Sequence, residues 1–163
     1  MPRALVTGGA GFTGSHIADT LAEAGWSVRT LDVNPPAPGR GPSHEFVQAD
    51  TRDAAAMREA VRGCEVVVEN AALVPITRSS PAEYRSVNVD GCRTTLDAAE
   101  AEGAYVVRLS SCSIYGIPRV VPAPVDTPFA PFEPYGRSKA EAERLVAERR
   151  RAGLAISSFR PRT

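Results

Sequence analysis

Tyr135 and Lys139 are the residues in this chain best suited to moving a proton. They stand four apart in Tyr135-Gly136-Arg137-Ser138-Lys139, and on a helix such a pair shares a face. A phenol beside an ammonium makes a proton-transfer pair. The cation favours the phenolate and is expected to lower the tyrosine pKa toward working pH. Lys139 is also the only lysine; the other eighteen cationic side chains of the Lys/Arg type are arginine. Arginine thus serves wherever charge suffices, and the lysine marks a place that needs a compact ammonium with rotatable donors.

A second group of residues is suited to holding a phosphate. Thr7-Gly8-Gly9-Ala10-Gly11-Phe12-Thr13-Gly14 carries glycines at 8, 11 and 14. Glycine lets backbone turn tightly and approach a pyrophosphate, while a helix N-terminus offers free N–H groups and a positive dipole end. Gly8, Gly11, Phe12, Thr13 and Gly14 are therefore dinucleotide-binding candidates. An acidic residue should follow about 20 residues on, and Asp32 stands there. Its carboxylate can accept both ribose hydroxyls and repels a 2′-phosphate, which favours NAD over NADP. Arg29 reads as structural, and Arg40 in the next loop keeps NADP open. A third group, Ser110-Ser111-Cys112-Ser113, offers hydroxyls where a strand ends, and open α/β sheets bind ligands at that edge.

Alternating strands and helices must position these groups. Strands are expected at Ala4–Thr7, Ser27–Asp32, Glu45–Gln48, Glu65–Glu69, Tyr105–Ser110 and Leu154–Phe159. Helices are expected at Phe12–Ala24, Asp53–Arg62 (opened by an Asp cap), Pro81–Glu102 and Pro134–Arg151. Proline-rich loops fill Asn34–Pro42 and Gly116–Pro134. The alternation predicts an α/β fold: a Rossmann-type doubly wound parallel sheet of about six strands in the order 3-2-1-4-5-6.

Composition narrows the function. The 163 residues suit one domain, with 43% hydrophobic content for a core. A net charge of zero implies no nucleic-acid or membrane-surface partner. No apolar run approaches a membrane span, and no secretory leader is visible. Three scattered cysteines point to a reducing, cytoplasmic setting, and two histidines lack metal-ligand spacing.

Several motifs in order resemble the extended short-chain dehydrogenase/reductase superfamily, in its NAD-dependent epimerase/dehydratase branch. They are Thr7–Gly14, Asp32, Asp50, Asn70-Ala71-Ala72, Asn88-Val89-Asp90-Gly91, Ser110–Gly116, Pro134–Lys139 and Arg160-Pro161. The resemblance implies that Asp50 and Thr51 face the adenine and that Ala71 and Ala72 lie along the dinucleotide. It makes Ser111, Tyr135 and Lys139 the catalytic residues, with Tyr135 as acid/base and Lys139 on the nicotinamide ribose. It adds Asn88, Pro161, Tyr135 and Lys139 to the cofactor-binding set, and gives Tyr115 a pocket-shaping role. Cofactor NAD and a small-molecule substrate, a nucleotide-sugar alcohol or ketone, are implied; a homodimer stays open.

Departures from the family pattern matter as well. Glu69 replaces a frequent His, with little chemical effect expected. Cys112-Ser113 stands where sugar dehydratases carry Asp-Glu, which argues for epimerisation or simple redox rather than dehydration. The run Pro128–Lys139 resembles nucleotide-sugar epimerases, whereas Ala71–Pro75 somewhat resembles steroid dehydrogenases, so a steroid-like substrate is the alternative. The chain stops after Pro161, where relatives continue into a substrate domain. Residues 1–163 are accordingly expected to be the NAD-binding Rossmann domain, with the C-terminal substrate domain absent. A non-catalytic dinucleotide-binding module is the alternative to an enzyme.

Overall fold

The structure, a computed structural model, describes residues 1–37 and 44–162. The strands β1 (Arg3–Thr7), β2 (Ser27–Asp32), β3 (Glu45–Gln48), β4 (Val66–Glu69), β5 (Tyr105–Leu109) and β6 (Ile156–Phe159) form one sheet. Its order is β3-β2-β1-β4-β5-β6 with every pairing parallel, as the alternation predicts. Register aligns Val6 of β1 with Thr30 of β2 and Val68 of β4, so the carboxyl ends of these strands come level.

Strands buried on both faces need continuous apolar runs rather than alternation, and Ala4-Leu5-Val6 and Val66-Val67-Val68 supply them. Leu5, Leu31, Val67 and Val106 meet one layer of helices: α2 (Ala54–Val61), α4 (Gly91–Glu102) and α5 (Pro134–Arg151). Val6, Val28 and Val68 meet α1 (Phe12–Glu23) through Ala18, Ile17 and Leu21. Each Leu or Val fully buried in these layers contributes about 1.5–3 kcal/mol. Asp53 caps α2 as expected, accepting from the Ala55 and Ala56 amides.

The stretch Pro81–Glu102 is helical throughout, as expected, with a change of pitch inside it. It is built of α3 (Pro81–Arg85), a π-helical turn (Ser86–Asp90) and α4. Ser80 and Glu83 start it with a capping box. The wider i→i+5 turn places Asn88 inward, where its side chain meets the 71–74 loop. Just beyond, Gly91 rests on Thr51: a Cβ there would lie 2.5 Å from Thr51 Oγ1, so only glycine lets the helix approach.

Candidate cofactor and active site

The glycine turn is held by backbone hydrogen bonds that leave its outer edge clear. The Gly8 and Gly9 amides donate to the Leu31 carbonyl at 2.7 and 3.2 Å, and the Gly11 amide donates to the Gly8 carbonyl. Gly8 takes φ +68°, in the left-handed region that favours glycine. At the start of α1, Gly11 provides no side-chain cap, so the first amides of the helix stay available to an anion.

Thr7 ties this turn to the next strand end. Its buried hydroxyl donates to the Val68 carbonyl and accepts from the Asn70 and Ala71 amides at 3.0 and 3.1 Å. Asn70 Nδ2 reaches back to the carbonyls of Thr7 and Gly8. The result is a cavity of about 630 Å³ walled by the glycine turn, the ends of β2, β3 and β4, and the 70–74 loop.

Gly8, Gly11, Phe12, Thr13, Gly14, Asp32, Asp50, Thr51, Ala71 and Ala72 all line this cavity. Asp32 accepts from the Ala10 amide (3.1 Å) and the Asn34 amide (3.0 Å). A carboxylate offers about four acceptor sites, so capacity for a ribose diol remains. The Asp50 carboxylate is gripped by Arg52, whose hydrogen bonds hold it below the usual carboxylate range. Arg52 in turn reaches Ser86 of the π turn. Thr51 is buried under Gly91.

Four residues of the expected cofactor-binding set, Asn88, Tyr135, Lys139 and Pro161, are not among those lining this cavity. Asn88 is outside the cavity lining and almost fully buried. Its carbonyl accepts from the Leu73 amide, and its NH2 donates to the Leu73 carbonyl and to Ser138 Oγ. Asn88 thus shapes the wall from behind. Pro161 is exposed, and its carbonyl accepts from the Cys112 amide. Arg40 lies outside the described residues.

Ser111, Tyr135 and Lys139 are brought together beyond the 70–74 loop, where β5 ends and α5 begins. Ser111 Oγ accepts from the Ser113 amide at 3.1 Å, and its side chain lies near enough to the Tyr135 phenol to favour the phenolate. Glu133 caps α5 by accepting from the Tyr135 and Gly136 amides. Tyr84 packs edge-on against Tyr135 and donates to the Val74 carbonyl. Lys139 Nζ donates to the Leu109 carbonyl at 2.8 Å.

The charge states differ from the sequence expectation. Burial pushes the Tyr135 phenol up, opposed by the Ser111 hydroxyl and the Arg108 charge. Burial brings the Lys139 ammonium down to about 8, and repulsion from Arg108 adds to this. Lys139 has its ammonium on a carbonyl rather than on the phenol, and both groups are enclosed; enclosure disfavours each charged form.

Tyr115 fastens the 116–134 excursion: its hydroxyl donates to the Val125 carbonyl and accepts from Arg160. Arg160 also lies over the Tyr115 and Phe129 rings, 5.5 and 5.3 Å from their centroids. Cys112 packs against the Ile114, Tyr115 and Ala140 cluster. Cys112→Ala is therefore expected to leave NAD affinity and turnover within a few-fold; a loss as large as that of Tyr135→Phe would overturn this reading of the turn.

Two features escaped the sequence reading: the Thr7 clasp, and a fully buried Arg108 that pairs with Glu69 at 2.5 Å. The signal for the second was an arginine inside the apolar run Tyr105–Leu109.

Comparison with known proteins places this architecture. The model of the NAD-dependent epimerase/dehydratase family matches residues 4–163. A UDP-glucose 4-epimerase of Lactobacillus helveticus is 35% identical, over 89% of this chain and 46% of its own length. A 3β-hydroxysteroid dehydrogenase/Δ5→4-isomerase of Mycobacterium tuberculosis is 31% identical, over 98% and 46%. The crystal structure of a UDP-glucose-4-epimerase from Stenotrophomonas maltophila, with bound NAD and formylated UDP-arabinopyranose, superposes with a TM-score of 0.89 at 30% identity. That match covers 98% of this chain and 52% of the other. The chain thus spans about half the length of these relatives. With the sheet order, the glycine turn and the family match in agreement, the chain belongs to the NAD-dependent epimerase/dehydratase family.

Proposed function

We propose that this chain binds NAD along the glycine-walled cavity and carries the proton-transfer half of a reversible hydride transfer. Its substrate is the alcohol or ketone carbon of a nucleotide sugar. The carrying observation is the placing of Ser111 and Tyr135 side by side where β5 ends and α5 begins, with Lys139 one helical turn on. Bound NAD supplies the hydride acceptor and donor. Ser111 holds the reacting oxygen, and the Tyr135 oxygen takes the hydroxyl proton as the alcohol is oxidised and returns it on reduction. Lys139 supplies positive charge beside the phenol and a donor to the nicotinamide ribose. The first helical amides of α1 face the pyrophosphate, Asp32 accepts from the adenosine ribose, and Asp50 and Thr51 wall the adenine end.

The absence of an Asp-Glu pair after Ser111 supports epimerisation or simple redox over dehydration. The UDP-glucose 4-epimerase relatives favour a nucleotide sugar; the steroid dehydrogenase relative supports a steroid-like alcohol as the second reading. Assay of UDP-glucose epimerisation against 3β-hydroxysteroid oxidation, in a chain extended to the family's length, separates the two.

Cofactor choice is tested on the chain itself. Calorimetric titration should give NAD binding at least about tenfold tighter than NADP, since a carboxylate facing a phosphate costs several kcal/mol and each 1.4 kcal/mol is tenfold. Asp32→Ala should narrow that gap. Tighter NADP binding by the unmodified chain would sink the assignment.

A further inference from the structure

Behind the catalytic residues lies a charge cluster that the proposed reaction does not yet use. Glu69, Arg108, Lys139 and Glu143 are buried where β4 and β5 meet α5, with Arg160 half-buried at the rim. Lys139 and Glu143 stand four apart on α5 and so share its inner face. Arg108 Nη1 donates to Glu69 Oε2 at 2.5 Å and contacts Cys92 Sγ at 2.9 Å. Glu143 is already engaged: Ser158 donates to one carboxylate oxygen and Arg160 to the other. It therefore stays 3.7 Å from Arg108 Nε, an ion pair without a hydrogen bond. Among the described residues, Nε and Nη2 of Arg108 find no hydrogen-bond partner.

The charges consequently divide into pairs with one left over. Glu69 answers Arg108, Glu143 answers Arg160, and Lys139 forms no ion pair among the described residues. Its acceptor is the carbonyl of Leu109, the residue next to Arg108 in β5. An enclosed ammonium without a carboxylate of its own takes its charge state from the fixed charges around it, because a buried field is little screened.

We propose that Arg108 and Glu69 are positioning residues for the reaction: their buried ion pair sets the charge carried by the chain's one lysine, a helical turn from Tyr135. This rests on the assignment of Tyr135 and Lys139 above. The groups facing Lys139 from each packed element are Arg108 from β5, Glu69 from β4, Cys92 from α4 and Glu143 from α5. Burial and Arg108 disfavour its charged form, whereas Glu69 and Glu143 favour it, and the balance brings it to about 8.

The single lysine makes the test direct. Lysine-selective 13C labelling gives one Cε resonance, whose titration reads Lys139 without any turnover. Glu69→Gln should lower the midpoint, and Arg108→Gln should raise it, each by about two pH units for a unit charge several ångströms away at an effective permittivity of about 20. The double variant Glu69→Gln/Arg108→Gln should titrate between the two single variants, since it removes both opposing charges. An ion pair that merely supports the fold would give no such opposition of sign, since breaking it from either side is the same structural injury. Midpoints that move together, or stay fixed, overturn the proposal. Should one single variant fail to fold, the other decides: a midpoint that stays fixed, or moves against the sign given, overturns the proposal.

The pH profile of turnover, in the extended chain, should shift in step with these midpoints. Shifted midpoints with an unmoved profile would remove Arg108 and Glu69 from the reaction. The acid/base role of Tyr135 is judged separately, by turnover of Tyr135→Phe, so the two readings fail independently.

Discussion

Tyr135→Phe should lower turnover about a hundred- to ten-thousand-fold, the range supplied by a positioned general acid/base, while leaving NAD affinity within a few-fold. The split follows from the geometry. The phenol lies outside the cavity lining and meets Ser111 instead, so its loss touches the proton and not the dinucleotide wall. Lys139→Arg should weaken both. Lys139 is enclosed, with its ammonium 2.8 Å from the Leu109 carbonyl, and the larger planar guanidinium has no room to keep that contact. Turnover and calorimetry on the extended chain are the measurements. An active Tyr135→Phe would remove the acid/base assignment, and a Lys139→Arg equal to the unmodified chain would make the lysine a bystander.

Gly14→Ala should abolish detectable NAD binding and lower the unfolding midpoint. A Cβ at Gly14 would lie 2.1 Å from the Gly8 carbonyl oxygen and 2.7 Å from its carbon. These are backbone atoms and cannot rotate aside; either α1 shifts or the turn opens. Overpacking of this kind costs about 1–3 kcal/mol or more, and the displaced turn no longer offers its amides. Gly25→Ala is the matched control: a Cβ there meets nothing within 4 Å, although the φ of +86° makes alanine strained. Equal NAD affinity in Gly14→Ala and the unmodified chain would show that the close approach of α1 to the turn is not needed.

The sheet order and the glycine turn were legible because their signals are local. Runs such as Val66-Val67-Val68 and punctuating glycines act through backbone torsion within a few residues. Asp32 was legible for the same reason, standing at a strand end at a fixed distance from the turn. Nothing in 81–102 marks where an α-helix widens into a π turn, since the difference lies in backbone pairing. The Arg108 and Glu69 partnership joins residues 39 apart, and its assembly depends on β4 and β5 becoming neighbours. The direction of the Tyr135 shift was misjudged because spacing reveals the cation one turn away but not the burial that opposes its influence.

Asn88 gives the two regions a common mechanical part. One amide group grips Leu73, in the cavity wall, and Ser138, in the turn of α5 between Tyr135 and Lys139. Thermodynamic reciprocity bounds what such a joint can do: whatever occupancy of the dinucleotide groove does to the poise of the phenol, the ionisation of the phenol does equally to the affinity of the groove.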